Sequence, residues 1–333
     1  MISTVIEQIN TLLRKANYET FLLGNFATTK SKFCFDLLVK KDDLIFSVKV
    51  FPNIDNLNQD LVRDIKSLSL ILKSKPLLIG IRNRYQKLED NTIYIRNGLP
   101  FITFNTLKKI LTNNIYPHIL ARRGGGVVFI DGNLMKELRE QHSITRKELS
   151  EKLGITKRTV SSYENESMRP SEEMAKKIID ILEDNEIFKK INIFKWNIKD
   201  DIEDKEIFEG IELSEFESHV EDIIKDIGLS FYWYKKGSIP FKLSLFSSKD
   251  KTECGDFYPL FSALSEDQGK VNEMNFNCLK MFNDLFHKTA LYIIDNNIRI
   301  PGSIKGKEIH IVKIKNLEEV DDEEEFIELI QDS

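Results

Sequence analysis

Between Thr145 and Asn165 the apolar positions keep helical spacing and are interrupted once, by a glycine. Leu149 and Leu153 lie four residues apart, on one face of a helix. Thr145 and Glu148 have the spacing of a capping box: the hydroxyl satisfies an orphan amide at the helix start while the carboxylate reaches back to the cap amide. Gly154 permits the positive φ of a tight turn, Ile155 seals that turn, and Thr156 caps a second helix with Val160 inward. Leu134 and Leu138 mark a preceding helix. Ser171, followed by Glu172 and Glu173, opens a closing helix that carries Ile178, Ile179 and Leu182.

The pattern changes on both sides of this stretch. Upstream, Ile6, Ile9, Leu12 and Leu13 predict a helix. The apolar runs FLLGNF, KFCFDLLVK and DLIFSVKVF follow, the last two joined by a hairpin signal at Lys40-Lys41-Asp42-Asp43. Leu61, Ile65, Leu68 and Leu72 share one face of a helix over Leu57 to Leu72. PLLIGIR reads as a buried strand, TIYIRNGLPFITF as two short strands around Gly98, and LKKIL as a last helix. Alternation of this kind predicts an α/β domain. Downstream, Phe216 to Ile227 is a helix, LSFYWY and FKLSLFS are strands, Asn275 to His287 is a helix and TALYIID a buried strand. IRIPGSIKGKEIHIVKI mirrors TIYIRNGLPFITF, and a helical acidic tail ends the chain. The order of elements repeats, which predicts a diverged duplication. Arg122-Arg123-Gly124-Gly125-Gly126 reads as a linker. The expected fold class is therefore mixed: an α/β domain over 1–121, a linker over 122–130, an all-α helix-turn-helix bundle over 131–185, and a second α/β domain with an acidic tail over 190–333.

The central unit carries the most legible chemistry. In a helix-turn-helix the N-terminal part of the second helix enters the major groove. Lys157 and Arg158 stand where that geometry needs donors, and Thr159, Ser161 and Ser162 occupy other faces of the same helix. Arginine bridges O6 and N7 of guanine, and hydroxyls reach bases or phosphates. Arg146 opens the first helix, placed to meet a phosphate at its positive end. Residues 131–185 resemble the Cro/C1-type (XRE) DNA-binding domain through LREQHSITRKELSEKLGITKRTVSSYENESMRPS. The resemblance implies that Lys157, Arg158 and Ser162 fall on base-reading positions, with Thr156 at the cap. It implies backbone contacts for Tyr163 and Asn165 at the end of the recognition helix. Arg146 replaces the family's frequent glutamine, which favours a phosphate contact over a bidentate amide contact. The three-part arrangement resembles an archaeal family of candidate HTH-type transcriptional regulators, most specifically through FDLLVKKDDLIFSVKVFPNIDNL and PLLIGIRNR. It implies transcriptional regulation through double-stranded DNA.

Composition narrows the alternatives. A chain of 333 residues exceeds one helix-turn-helix domain. Its net charge of −5 excludes adhesion to DNA through bulk charge, so contact requires a local cationic face. Cys34, Cys254 and Cys278 have no metal-ligand spacing and read as reduced thiols of a cytoplasmic protein. The five histidines are scattered, and no apolar run approaches the roughly 20 residues that span a bilayer. No cofactor or metal is expected; the expected partners are DNA, a second copy in a homodimer, and an unidentified effector of the flanking domains.

One enzyme reading stands beside this. Asp36 ends a strand and Lys49 lies near the end of the next, the layout of a PD-(D/E)xK nuclease core, which uses two carboxylates to hold Mg²⁺ and a lysine to steady the attacking water. Here the triplet is Ser47-Val48-Lys49, and serine supplies no second anionic ligand. A degenerate nuclease-like fold used for binding or dimerisation fits these residues better. A third reading is an interaction adaptor that does not bind DNA.

Overall fold

The computed structural model describes residues 2–23, 33–42, 44–72, 74–122, 125–196, 212–234, 239, 241–247, 258, 260–265, 273–287, 289–300 and 309–331. In chain order the elements are α1 (Ile2–Lys15), β1 (Glu19–Leu22), β2 (Leu37–Lys41), β3 (Leu44–Asn53), α2 (Gln59–Ile71), β4 (Lys75–Arg82), β5 (Thr92–Arg96), β6 (Leu99–Ile102), α3 (Phe104–Asn113), β7 (Ile119–Arg122) and β8 (Gly125–Val128). Four helices follow: α4 (Gly132–Gln141), α5 (Arg146–Leu153), α6 (Lys157–Glu164) and α7 (Glu172–Leu182). The remainder comprises α8 (Glu215–Asp226), β9 (Ser230–Trp233), β10 (Leu243–Phe246), β11 (Leu260–Ser265), α9 (Glu273–Phe286), β12 (Ala290–Ile294), β13 (His310–Lys313), α10 (Ile314–Leu317) and α11 (Glu323–Gln331). The architecture is mixed α/β.

The chain forms two compact units. One comprises Met1–Tyr18, Val48–Leu57 and Lys75–Ile198. Its strands follow the order β3-β4-β6-β5-β7-β8. β5 and β6 form an antiparallel hairpin turned at Asn97 and Gly98, β4 runs parallel to β6, and β5 runs parallel to β7. The run read as a linker behaves differently. Gly125–Val128 is β8, antiparallel to β7, while Arg123 and Gly124 lie outside the described residues. A Cβ on Gly126 would stand 2.6 Å from Ile119 Cγ2, so close packing, not linker flexibility, accounts for that glycine.

β8 also ties the helices to this sheet. Val127 bridges to Ser171, and the Val128 N–H donates to Pro170 O at 3.0 Å. Lys189 N–H donates to Phe129 O at 2.8 Å, and His118 stacks on Phe188 with ring centroids 4.6 Å apart. Ile119, Val128 and Ile130 belong to the same buried core as Leu149, Val160 and Ile178. The helical bundle and the β7–β8 hairpin thus share one core.

The second unit comprises Glu19–Ser47, Asn58–Ser74 and Lys199–Ser333. It holds the antiparallel β1–β2 pair, α2, and a five-stranded sheet of order β13-β12-β11-β10-β9. β9, β10 and β11 are antiparallel, and β11, β12 and β13 are parallel. The amino-terminal pieces pack into this unit: Tyr232 Oη donates to Asp64 Oδ1 at 3.2 Å, Lys40 Nζ donates to Leu285 O at 3.1 Å, and the Phe35 ring lies 6.0 Å from that of Phe282. The apolar pattern does not predict β11. All six of its residues are buried, including Ser262 and Ser265, and those serines mask its apolar run. The middle of the segment that mirrors β5–β6, residues 301–308, lies outside the described residues, as does Cys254. Cys34 and Cys278 are buried, and burial pushes the Cys278 thiol up to about 12.

Candidate nucleic-acid interface

Local rules build α5 and α6 as the spacing predicts. The Glu148 N–H donates to Thr145 Oγ1 at 3.2 Å, and the Thr145 N–H donates to Glu148 Oε2 at 2.7 Å, completing the capping box. Gly154 closes α5 with φ 69°, in the left-handed region that costs glycine least. Thr156 caps α6, its Oγ1 accepting from the Thr159 N–H at 3.1 Å. Ser171 caps α7 in the same way.

The expected reading residues separate into three groups. Lys157 and Arg158 are exposed in the first turn of α6 and carry no ion pair among the described residues. That turn contains no acidic residue, so two cations add to the positive end of the helix. Thr159, Ser161 and Ser162 are half-buried along the same helix, while Thr156 and Asn165 are exposed at its two ends. Tyr163 lies apart from these. It is 6% exposed and belongs to the bundle core, and burial pushes its phenol up. Its i−3 relation to Val160 puts it on the inward stripe of α6, so its side chain supports the helix from behind.

Arg146 is placed by a residue the spacing did not single out. Glu164 has 1% of its side chain exposed and holds two arginines, Arg139 Nε on Oε1 and Arg146 Nε on Oε2, each at 2.6 Å. Arg139 also donates through Nη1 to Ile144 O at 2.9 Å and through Nη2 to Glu140 Oε1 at 3.2 Å. Burial alone would depress the Arg139 guanidinium, but the Glu164 and Glu140 carboxylates outweigh it and push it up. Arg146 keeps 36% of its side chain exposed. The network pins α4, α5 and the end of α6 together. Gly132 completes it: a Cβ there would lie 2.1 Å from Glu164 O, so α4 meets α6 at a distance only glycine allows.

The PD-(D/E)xK candidates look different. Asp36 is half-buried just before β2, and Lys49 is half-buried in β3. Ser47, where that chemistry needs a second carboxylate, is 4% exposed and neutral. Among the described residues no three His, Cys, Asp or Glu side chains gather where they could hold a metal ion. The Ser47-Val48-Lys49 triplet thus supplies no second carboxylate beside Asp36 for a divalent cation. No helix among the described residues is long and apolar enough to cross a membrane.

Two known families match parts of the chain. Residues 2–117 match the PD-(D/E)XK superfamily domain, and residues 135–183 match the helix-turn-helix family. No solved structure matches. A candidate HTH-type transcriptional regulatory protein of Methanobrevibacter smithii is 30% identical over 330 residues, covering 99% of this chain and 97% of its own. One of Methanococcus maripaludis strain C5 is 30% identical over 90% of both chains. One of Pyrococcus horikoshii is 29% identical over 92% of this chain and 93% of its own. By near-complete overlap at that identity, together with its helix-turn-helix of the Cro/C1 type, the chain belongs to the archaeal family of candidate HTH-type transcriptional regulatory proteins.

Proposed function

We propose that this protein is a sequence-specific, double-stranded DNA-binding transcriptional regulator that acts by occupying an operator, without covalent chemistry. The observation that carries the reading is the first turn of α6: Lys157 and Arg158 exposed and without ion pairs among the described residues, on a helix fixed by the Thr156 cap, the buried Val160 and Tyr163, and Glu164. Arg158 reads a base edge, with Lys157, Thr159, Ser161 and Ser162 beside it. Arg146, Thr156 and Asn165 contact backbone. Residues 131–185 form the DNA-reading part, and the α/β regions over 1–121 and 190–333 act in dimerisation or effector binding. The shared order of hairpin, helix and parallel pair, β1–β2, α2, β4–β6 against β9–β10, α9, β12–β13, supports their origin in one duplicated nuclease-like fold. A cytoplasmic homodimer places two copies of α6 about 34 Å apart, one DNA turn, and prefers a palindromic site.

A gel-shift titration of Arg158→Ala at fixed salt tests the assignment. The expected loss is about 1–3 kcal/mol, with relaxed preference at one base pair. Wild-type affinity for the best site rules out direct reading by Arg158. The match of residues 2–117 to the PD-(D/E)XK superfamily supports a second reading, a Mg²⁺-dependent nuclease centred on Asp36 and Lys49. Plasmid cleavage in Mg²⁺ that Asp36→Ala abolishes favours it; an intact plasmid favours regulation alone.

A further inference from the structure

We infer that the tip joining β4 to β5, residues 82–87, is a second DNA-contacting element that grips the phosphates of the duplex flanking the stretch read by α6. The inference rests on the DNA-binding reading above and extends it to a part of the chain outside the helix-turn-helix.

Three cations and one aromatic ring stand on this tip. Arg82, Arg84 and Lys87 are exposed, and Tyr85 is 87% exposed. Asp55, one neighbouring acid, attracts the Arg84 guanidinium but forms its ion pair with Arg96. Its oxygens accept from Arg96 Nε at 2.6 Å and from the Arg84 N–H at 2.7 Å. Burial would raise the Asp55 carboxyl, but these donors hold it below its ordinary value. The side chains of Arg82, Arg84 and Lys87 carry no ion pair among the described residues.

The tip is rigid. Asn83 Oδ1 accepts from the N–H groups of Tyr85 and Gln86, both at 2.8 Å. The Asn83 N–H donates to Gln86 O at 2.9 Å, Arg82 bridges to Lys87, and the Leu88 N–H donates to Ile81 O at 3.1 Å beneath them. Leu88, at 8% exposed, anchors the base. A large ring held in water on a fixed turn contributes nothing to the core. Cations beside an exposed phenol suit a phosphate backbone, the cations by charge and the hydroxyl by hydrogen bond.

Its position fits the same partner. The tip belongs to the unit that holds α6. Glu89, just after the tip, lies within coulombic reach of Lys176 on α7, and Tyr94, whose Oη accepts from the Glu89 N–H at 3.0 Å, lies within reach of Glu172. Glu172 and Lys176 of α7 thus lie within electrostatic reach of the base of the tip, and residues 165–171 join α6 to α7 within the same unit.

The test uses the full chain and the duplex its own random selection recovers, in two forms: trimmed to the motif, and extended by about one helical turn at each end. Arg84→Ala/Lys87→Ala should lower the slope of log affinity against log salt on the extended duplex by roughly 2, about 0.9 for each lost phosphate contact. It should leave the trimmed duplex and the selected motif unchanged. Arg84→Lys/Lys87→Arg should restore the slope, and Tyr85→Ala should weaken the extended duplex with the slope unaltered. All these side chains are exposed, and circular dichroism checks that the fold persists. If the double alanine variant matches wild type on the extended duplex while Arg158→Ala still weakens binding, the tip does not touch DNA and the reading of α6 stands. If wild type enriches no duplex, both are wrong, and an acidic protein surface becomes the better partner for the tip.

Discussion

Glu164 is almost inaccessible, yet it anchors one arginine from α4 and another from α5. A buried pair that loses one member leaves a charge without compensation, and that costs more than the pair itself contributes. Glu164→Gln should therefore lower stability by about 3 kcal/mol in urea denaturation, because Arg139 remains buried. An unchanged midpoint would mean the two contacts carry no weight. This network is illegible in sequence. The partners stand 25 and 18 residues apart, and no local periodicity links them. Gly132 is equally silent, since its role depends on a carbonyl 32 positions away. Acid sensitivity belongs at this scale too. The Thr145 N–H and hydroxyl hold the Glu148 carboxyl below its ordinary 4.5, and the Lys189 ammonium followed by the Gly132 N–H does the same for Glu166. Folded pKa values below unfolded ones mean stability that is complete above about pH 4.5 and is lost as pH falls further. Melting temperatures measured on descending pH should drop below that point, and Glu166→Gln should make the drop shallower; a parallel drop would contradict the assignment.

At the level of elements, the residues legible in sequence are those whose partners lie within one helical turn. Thr145, Gly154, Thr156 and Ser171 all occupy the caps their spacing predicts. Thr145→Ala should cost about 1 kcal/mol in thermal melts, from the lost cap. Gly154→Ala meets no atom within 4 Å but must hold φ 69°, so its cost is backbone strain. The prediction is a loss from Gly154→Ala that further enlargement to Val deepens, since a β-branched residue tolerates that region less. Equal melting temperatures for all three proteins would remove the strain argument. What escaped the sequence were strands whose chemistry looks unlike a strand's. β8 opens with two glycines, the second of which packs against Ile119 where a side chain would not fit, and β11 hides behind two buried serines. A place near the helix end predicts a DNA contact for Tyr163, whereas the inward stripe of α6 decides where its ring goes.

For the whole molecule, the order of elements could be read but their partition into compact units could not. Residues 19–47 and 58–74 pack with the carboxy-terminal region, and no linear pattern announces that a segment will leave its neighbours for a region some 200 positions on. Linear reading cuts the chain at glycines; the folded chain divides through contacts such as Tyr232 with Asp64. The DNA hypothesis survives this redrawing because α4 to α7 stay together in one unit with a shared core. The most direct test is selection of random double-stranded oligonucleotides by the full-length wild-type chain. The account predicts enrichment of one motif whose recovery declines with Arg158→Ala and whose affinity falls with rising salt. A pool that remains random through successive rounds, from protein shown to be folded, would contradict it.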